Sequence, residues 1–139
     1  MKVSFNLDDV LFVSEKEVEA EPELEFPLNR LFPERIRKGS EELITELQKR
    51  GFSTMVYASS FKTPIYLDAL FKHHNIYFDQ VINAYNPEDE KTISLHIDSE
   101  DKPQGIENPD LKIFKVCGPD SDWVKKVLDE AERVKNNER

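Results

Sequence analysis

Short apolar runs of strand formers alternate with stretches of helical spacing along this chain, and that alternation restricts the fold more than any other feature. Lys2–Leu7 reads as a first strand ending near Asp8. Ser40 reads as the N-cap of a helix with Glu41 and Glu42 in its first turn, Leu43, Ile44 and Leu47 on one face, and Gly51 as the stop. Phe52–Ser59 is a second strand, and Thr63-Pro64 opens a second helix with Ile65, Leu67, Leu70 and Phe71 facing inward. Tyr77–Ile82, Ser94–Ile97 and Leu111–Val116 are three further apolar runs bounded by turn residues, as buried parallel strands are. Pro119–Asp122 then leads into a last helix carrying Trp123, Val124, Val127, Leu128, Ala131 and Val134 at helical spacing, with a frayed polar tail at 135–139. Strands alternating with helices predict an α/β fold with a mainly parallel sheet in a three-layer α/β/α sandwich, Rossmann-like in arrangement.

The segment at 12–38 interrupts this order. Glu15, Glu17, Glu19, Glu21, Glu23 and Glu25 hold every odd position, which predicts an extended ribbon with one acidic face, and Pro22, Pro27 and Pro33 exclude a long regular element. It reads as an acidic, flap-like insertion within a single domain spanning 1–139, since 139 residues suit one core.

Charge and hydropathy exclude several classes of partner. A net charge of −9 opposes contact with nucleic acid or an anionic membrane surface. No apolar stretch approaches the roughly 20 residues of a membrane helix, and Asp8 and Asp9 interrupt the first segment where a secretory signal needs an apolar run, so the expected location is cytoplasmic. Cys117 is the only cysteine and reads as a partly buried thiol at a strand end.

Ligands in such folds bind beyond the carboxyl ends of the strands. Those exits hold Asn6-Leu7-Asp8, Ala58-Ser59-Ser60 and Asp98-Ser99. Taken in order with Gly39–Leu43, they resemble the haloacid dehalogenase-like (HAD) superfamily, and the resemblance runs through nearly the whole chain. About 30 residues separate the first motif from Gly39, too few for a substantial cap domain, so the likeness is to the capless, phosphatase-type branch.

The resemblance implies a role for each matched residue. Asn6 stands where the family has its nucleophilic Asp, and a neutral amide is a far poorer nucleophile that also removes a charge from any Mg²⁺ site. Three readings of Asn6 stand: a disabled nucleophile, a polar strand-end residue, or an engineered trap. Asp8 matches the general acid and base. Ser59 or Ser60 would donate to a bound phosphate, with Ala58 at the usual hydroxyl position; Lys91 would be the neutralising lysine, although it lies among Glu88, Asp89 and Glu90. Asp98 matches the metal-binding Asp, with Ser99 where many relatives carry a second one. The implied Mg²⁺ would be held by Asn6, Asp8 and Asp98, weakly or not at all. His73, His74 and His96 read as structural.

Three functions follow as expectations: a catalytically impaired pseudoenzyme serving as a binding or regulatory module, an active Mg²⁺-dependent phosphohydrolase acting on a small phosphorylated ligand, or an interaction module whose acidic ribbon meets a basic protein partner.

Overall fold

The computed structural model describes residues 1–58, 63–82, 87–100, 108 and 110–137. Strand β1 (Lys2–Asn6) is followed by a short helix α1 (Leu28–Leu31), helix α2 (Ser40–Lys49), β2 (Ser53–Tyr57), α3 (Pro64–His73), β3 (Gln80–Ile82), α4 (Pro87–Thr92), β4 (Ile93–Asp98), β5 (Ile113–Lys115) and α5 (Trp123–Asn137). The five strands form one sheet in the order β3-β2-β1-β4-β5, and every neighbouring pair is parallel. The chain runs outward from β1 to β3 and then returns to the other side of β1. The strand order therefore reverses between β1 and β4, which makes their carboxyl ends the topological switch point.

Alternation along the strands divides the sheet into two unlike faces. Val3, Phe5, Val56, Leu95 and Ile97 belong to the main core together with Leu43, Ile44 and Leu47 of α2, Leu67, Leu70 and Phe71 of α3, and Trp123, Val127, Ala131 and Val134 of α5. A smaller cluster of Met55, Ile93 and Leu111, flanked by Ile82 and Ile113, contains no residue from a described helix. Among the described helices, α2, α3 and α5 all contribute to the main core.

Several element boundaries differ from the sequence expectation. Strand β1 stops at Asn6, because the carbonyl of Leu7 accepts from the N–H groups of both Leu11 and Phe12 and closes a helical turn. Helix α2 begins one residue early, with Gly39 as its N-cap at φ +94° and the Ser40 hydroxyl donating to the carbonyl of Arg37. A Cβ at Gly39 would meet Cγ2 of Val124 at 2.6 Å, so both backbone angle and space require glycine. Ile65 is 85% exposed, because the inner stripe of α3 runs through Leu67, Leu70 and Phe71 alone. Cys117 is exposed rather than partly buried, one residue past the buried Val116. The tail does not fray at Lys135, whose ammonium donates to the carbonyl of Arg50 and lies over the Phe52 ring, and α5 continues to Asn137.

The flap is not an extended ribbon. It is stitched by isolated bridges of Phe12 to Ile36 and Ala20 to Arg37, and its chain turns back at Ser14, whose carbonyl accepts from Glu17 and Val18. Its glutamates do not share one free face, since Glu15 pairs with Arg35, Glu19 with Lys38, and Glu21 accepts from the N–H of Gly39. No described helix is long and apolar enough to cross a membrane.

Candidate functional site

Parallel register sets β1 and β4 side by side with Ser4 opposite His96 and Phe5 opposite Ile97, so Asn6 and Asp98 come together at the switch point as the last residues of their strands. Ser4 and Asn6 lie on the same face as His96 and Asp98, and they form a polar row through the middle of the sheet. The row is hydrogen-bonded along its length. Ser4 Oγ lies 2.7 Å from His96 Nδ1, His96 Nε2 lies 2.8 Å from Asp98 Oδ2, and Asn6 Nδ2 donates to Asp98 Oδ1 at 3.3 Å. The backbone N–H groups of Ser99 and Glu100 also donate to Asp98 Oδ1, at 2.7 and 3.2 Å. Asn6 Oδ1 is buried and has no hydrogen-bond partner among the described residues.

Burial acts to raise the Asp98 pKa, but the His96 hydrogen bond and charge, with the donors from Asn6 and Glu100, outweigh it and hold the carboxyl below its ordinary value. An ionised Asp98 accepts only, so the amide of Asn6 must turn its N–H toward it and His96 must carry a hydrogen on Nε2. Ser4 then faces the other ring nitrogen, which fixes the imidazole at both ends. Ser4, His96 and Asp98 are all buried, so the row is an internal support for the carboxylate and offers no exposed nucleophile.

The loop leaving β1 is held by a residue whose role the sequence did not reveal. Arg37 is 1% exposed, and its guanidinium donates to the carbonyls of Val10 at 2.7 Å, Gly118 at 2.9 Å and Asp9 at 3.1 Å. It also lies over the Trp123 ring, whose Nε1 donates to the carbonyl of Lys38. Burial pushes the Arg37 pKa down, partly offset by the charge of Asp120, and the guanidinium stays charged. One side chain thereby ties the flap end to the loops after β1 and β5. In the sequence it is one cation in a basic tract; only the fold brings three carbonyls to it. Arg37 and Trp123 also line a groove of about 680 Å³ with Glu19, Lys38, Glu42 and Lys125, and neither Asn6 nor Asp98 lines it.

Of the site residues named from sequence, the structure brings Asn6 and Asp98 together and puts half-buried Asp8 two residues beyond the end of β1. Ser59 and Ser60 lie outside the described residues, whereas Ala58, at the expected hydroxyl position, is buried at the end of β2. Lys91 is not brought to the site. It is exposed on α4 just before the first residue of β4, and the length of that strand, about 3.3 Å per residue, separates it from Asp98. His96, read as structural, proves to be the direct partner of the site carboxylate; its alternation with Asp98 in Leu95–Asp98 was the available signal.

The Mg²⁺ implied by the resemblance can be tested against these donors. A site of this kind needs oxygens aimed at one point, with carboxylates supplying the charge. Here Asp98 Oδ1 already accepts three N–H donors and Oδ2 faces His96, while Asn6 presents its N–H, not its oxygen, to Asp98. The arrangement does not fit a Mg²⁺ centre.

Fold and site define an α/β chain with a five-stranded parallel sheet and a buried polar row ending at its switch point. No protein-family model, curated protein or solved structure matches the chain.

Proposed function

We propose that this chain is a phosphatase-like binding module of HAD type that does not catalyse hydrolysis. The observation that carries the reading is Asn6 at the end of β1 with its amide N–H turned onto Asp98. In the family that position supplies the attacking carboxylate, and a neutral amide, with its nitrogen pair delocalised into the carbonyl and no charge on its oxygen, is a far poorer nucleophile toward phosphorus. The switch-point position of Asn6 and Asp98 supports these strand exits as the crevice in which a small ligand sits. The buried Ser4–His96 support holds the carboxylate rigid, which suits recognition.

A second reading, docking of a basic protein on the flap, rests on Glu17, Glu23 and Glu25, which are exposed. It is weaker, because Glu15 and Glu19 are already paired with Arg35 and Lys38 at the surface and Glu21 accepts from the Gly39 N–H. Salt-sensitive binding to a basic peptide, lost on charge reversal of those three exposed glutamates, would favour it.

The test of the first reading is steady-state hydrolysis of an aryl phosphate with MgCl₂ by the unmodified chain and by Asn6→Asp. The unmodified chain is expected to be silent. Turnover by it would overturn the proposal.

A further inference from the structure

The same crevice raises the question of what balances the buried charge of Asp98. In a pocket that holds a carboxylate beside a strand end, a divalent cation is one solution and a full set of hydrogen-bond donors is another. Asp98 is 2% exposed and receives four donors, from Asn6, Ser99 and Glu100 on Oδ1 and from His96 on Oδ2. A carboxylate offers about four lone-pair directions. Oδ1, the oxygen facing Asn6, has none left over.

We infer that the crevice is built to work without a divalent cation, the Asn6 amide and the His96 ring taking as donors the positions on Asp98 that a metal would need. The inference rests on the reading above in treating this crevice as the ligand site. It goes further in assigning His96 and Ser4 as positioning residues: Ser4 fixes the ring, the ring fixes Oδ2, and Asn6 covers Oδ1. The division of the Asn6 amide then acquires a purpose. Its N–H is spent on Asp98, and its oxygen, buried without a partner among the described residues, is the acceptor left for an N–H or O–H of the ligand.

Replacing the amide by a carboxylate reverses this balance. Asn6→Asp puts a second anion where a donor stood 3.3 Å from Asp98, and two like charges at that separation create a demand for a cation. His96→Gln keeps a donor for Oδ2 and serves as the conservative control.

The experiment is a MgCl₂ titration of the isotope-labelled full chain, followed through the backbone amide signals of Ser99 and Glu100, which report on Asp98 directly. The unmodified chain and His96→Gln are expected to show no saturable shift at these two amides. Asn6→Asp is expected to show one, with affinity raised at least about tenfold, the factor that 1.4 kcal/mol represents. Saturable Mg²⁺ binding by the unmodified chain at Ser99 and Glu100 would overturn the inference, and this arm decides even if Asn6→Asp does not fold. Equal Mg²⁺ response in Asn6→Asp and the unmodified chain would overturn it too. The functional reading fails separately, by turnover of the unmodified chain, and Mg²⁺ binding without turnover leaves it standing.

Discussion

Ser4 Oγ and His96 Nδ1 lie 2.7 Å apart between directly paired residues of β1 and β4, with both side chains fully buried. A parallel strand buried on both faces is ordinarily apolar throughout. Here a polar pair sits in the centre of the sheet, and its reason is Asp98 two residues further along β4. Ser4→Ala removes one buried hydrogen bond from the imidazole and is expected to cost about 1–3 kcal/mol in chemical denaturation. Unchanged stability would mean that the pair contributes nothing to the support of Asp98.

Acid should act on Asp98 late. Its folded pKa is lowered, so the unfolded chain takes up a proton first as the pH falls. The stabilisation from Asp98 is therefore complete above the ordinary carboxylate value of 3.8 and is lost as pH falls through the lower folded value. The side-chain carboxyl carbon of Asp98, followed by NMR during acidification, is expected to titrate with a midpoint below 3.8. A midpoint above it would contradict the four-donor environment.

Gly39→Ala is expected to destabilise the chain by more than about 1 kcal/mol, because the position combines a positive φ with no room for a Cβ. The close approach is to Val124 and Trp123 at the start of α5. Thermal unfolding measures the loss. A paired Val124→Ala change should relieve the steric part and leave the backbone part.

Arg37→Lys keeps the charge but cannot reach three carbonyls in a fork. It is expected to cost on the order of 3 kcal/mol, since hydrogen bonds to a charged group are among the stronger ones and the deserted carbonyls lie against buried structure. Denaturant unfolding of Arg37→Lys beside Arg37→Met tests this. Full rescue by lysine would show that charge alone, and not the three-way tie among Val10, Asp9 and Gly118, is what the position provides.

The elements with local signals were readable in the sequence. Thr63 caps α3 with Pro64 behind it, and Gly51 ends α2 at φ +88°, because both follow from the chemistry of two or three adjacent residues. The meeting of Asn6 with Asp98 was also readable, since strand exits on either side of a switch point converge. What was not readable depends on register or on distant backbone. Ser4 and His96 are 92 positions apart, and a one-residue slip would turn them to opposite faces. Arg37 looks like any loop cation until Val10 and Gly118 are brought to it. Lys91 failed for the complementary reason: sequence proximity to Asp98 concealed that an entire strand lies between them.

The central claim, that the crevice recognises without reacting, meets its most direct test in a single-turnover burst experiment. The unmodified chain is mixed with an aryl phosphate and MgCl₂ at protein concentrations high enough to see one equivalent of released phenol. The expected result is no burst and no steady turnover, because Asn6 cannot take the phosphoryl group. A burst approaching one equivalent per chain would show that a nucleophile is at work and would contradict the account.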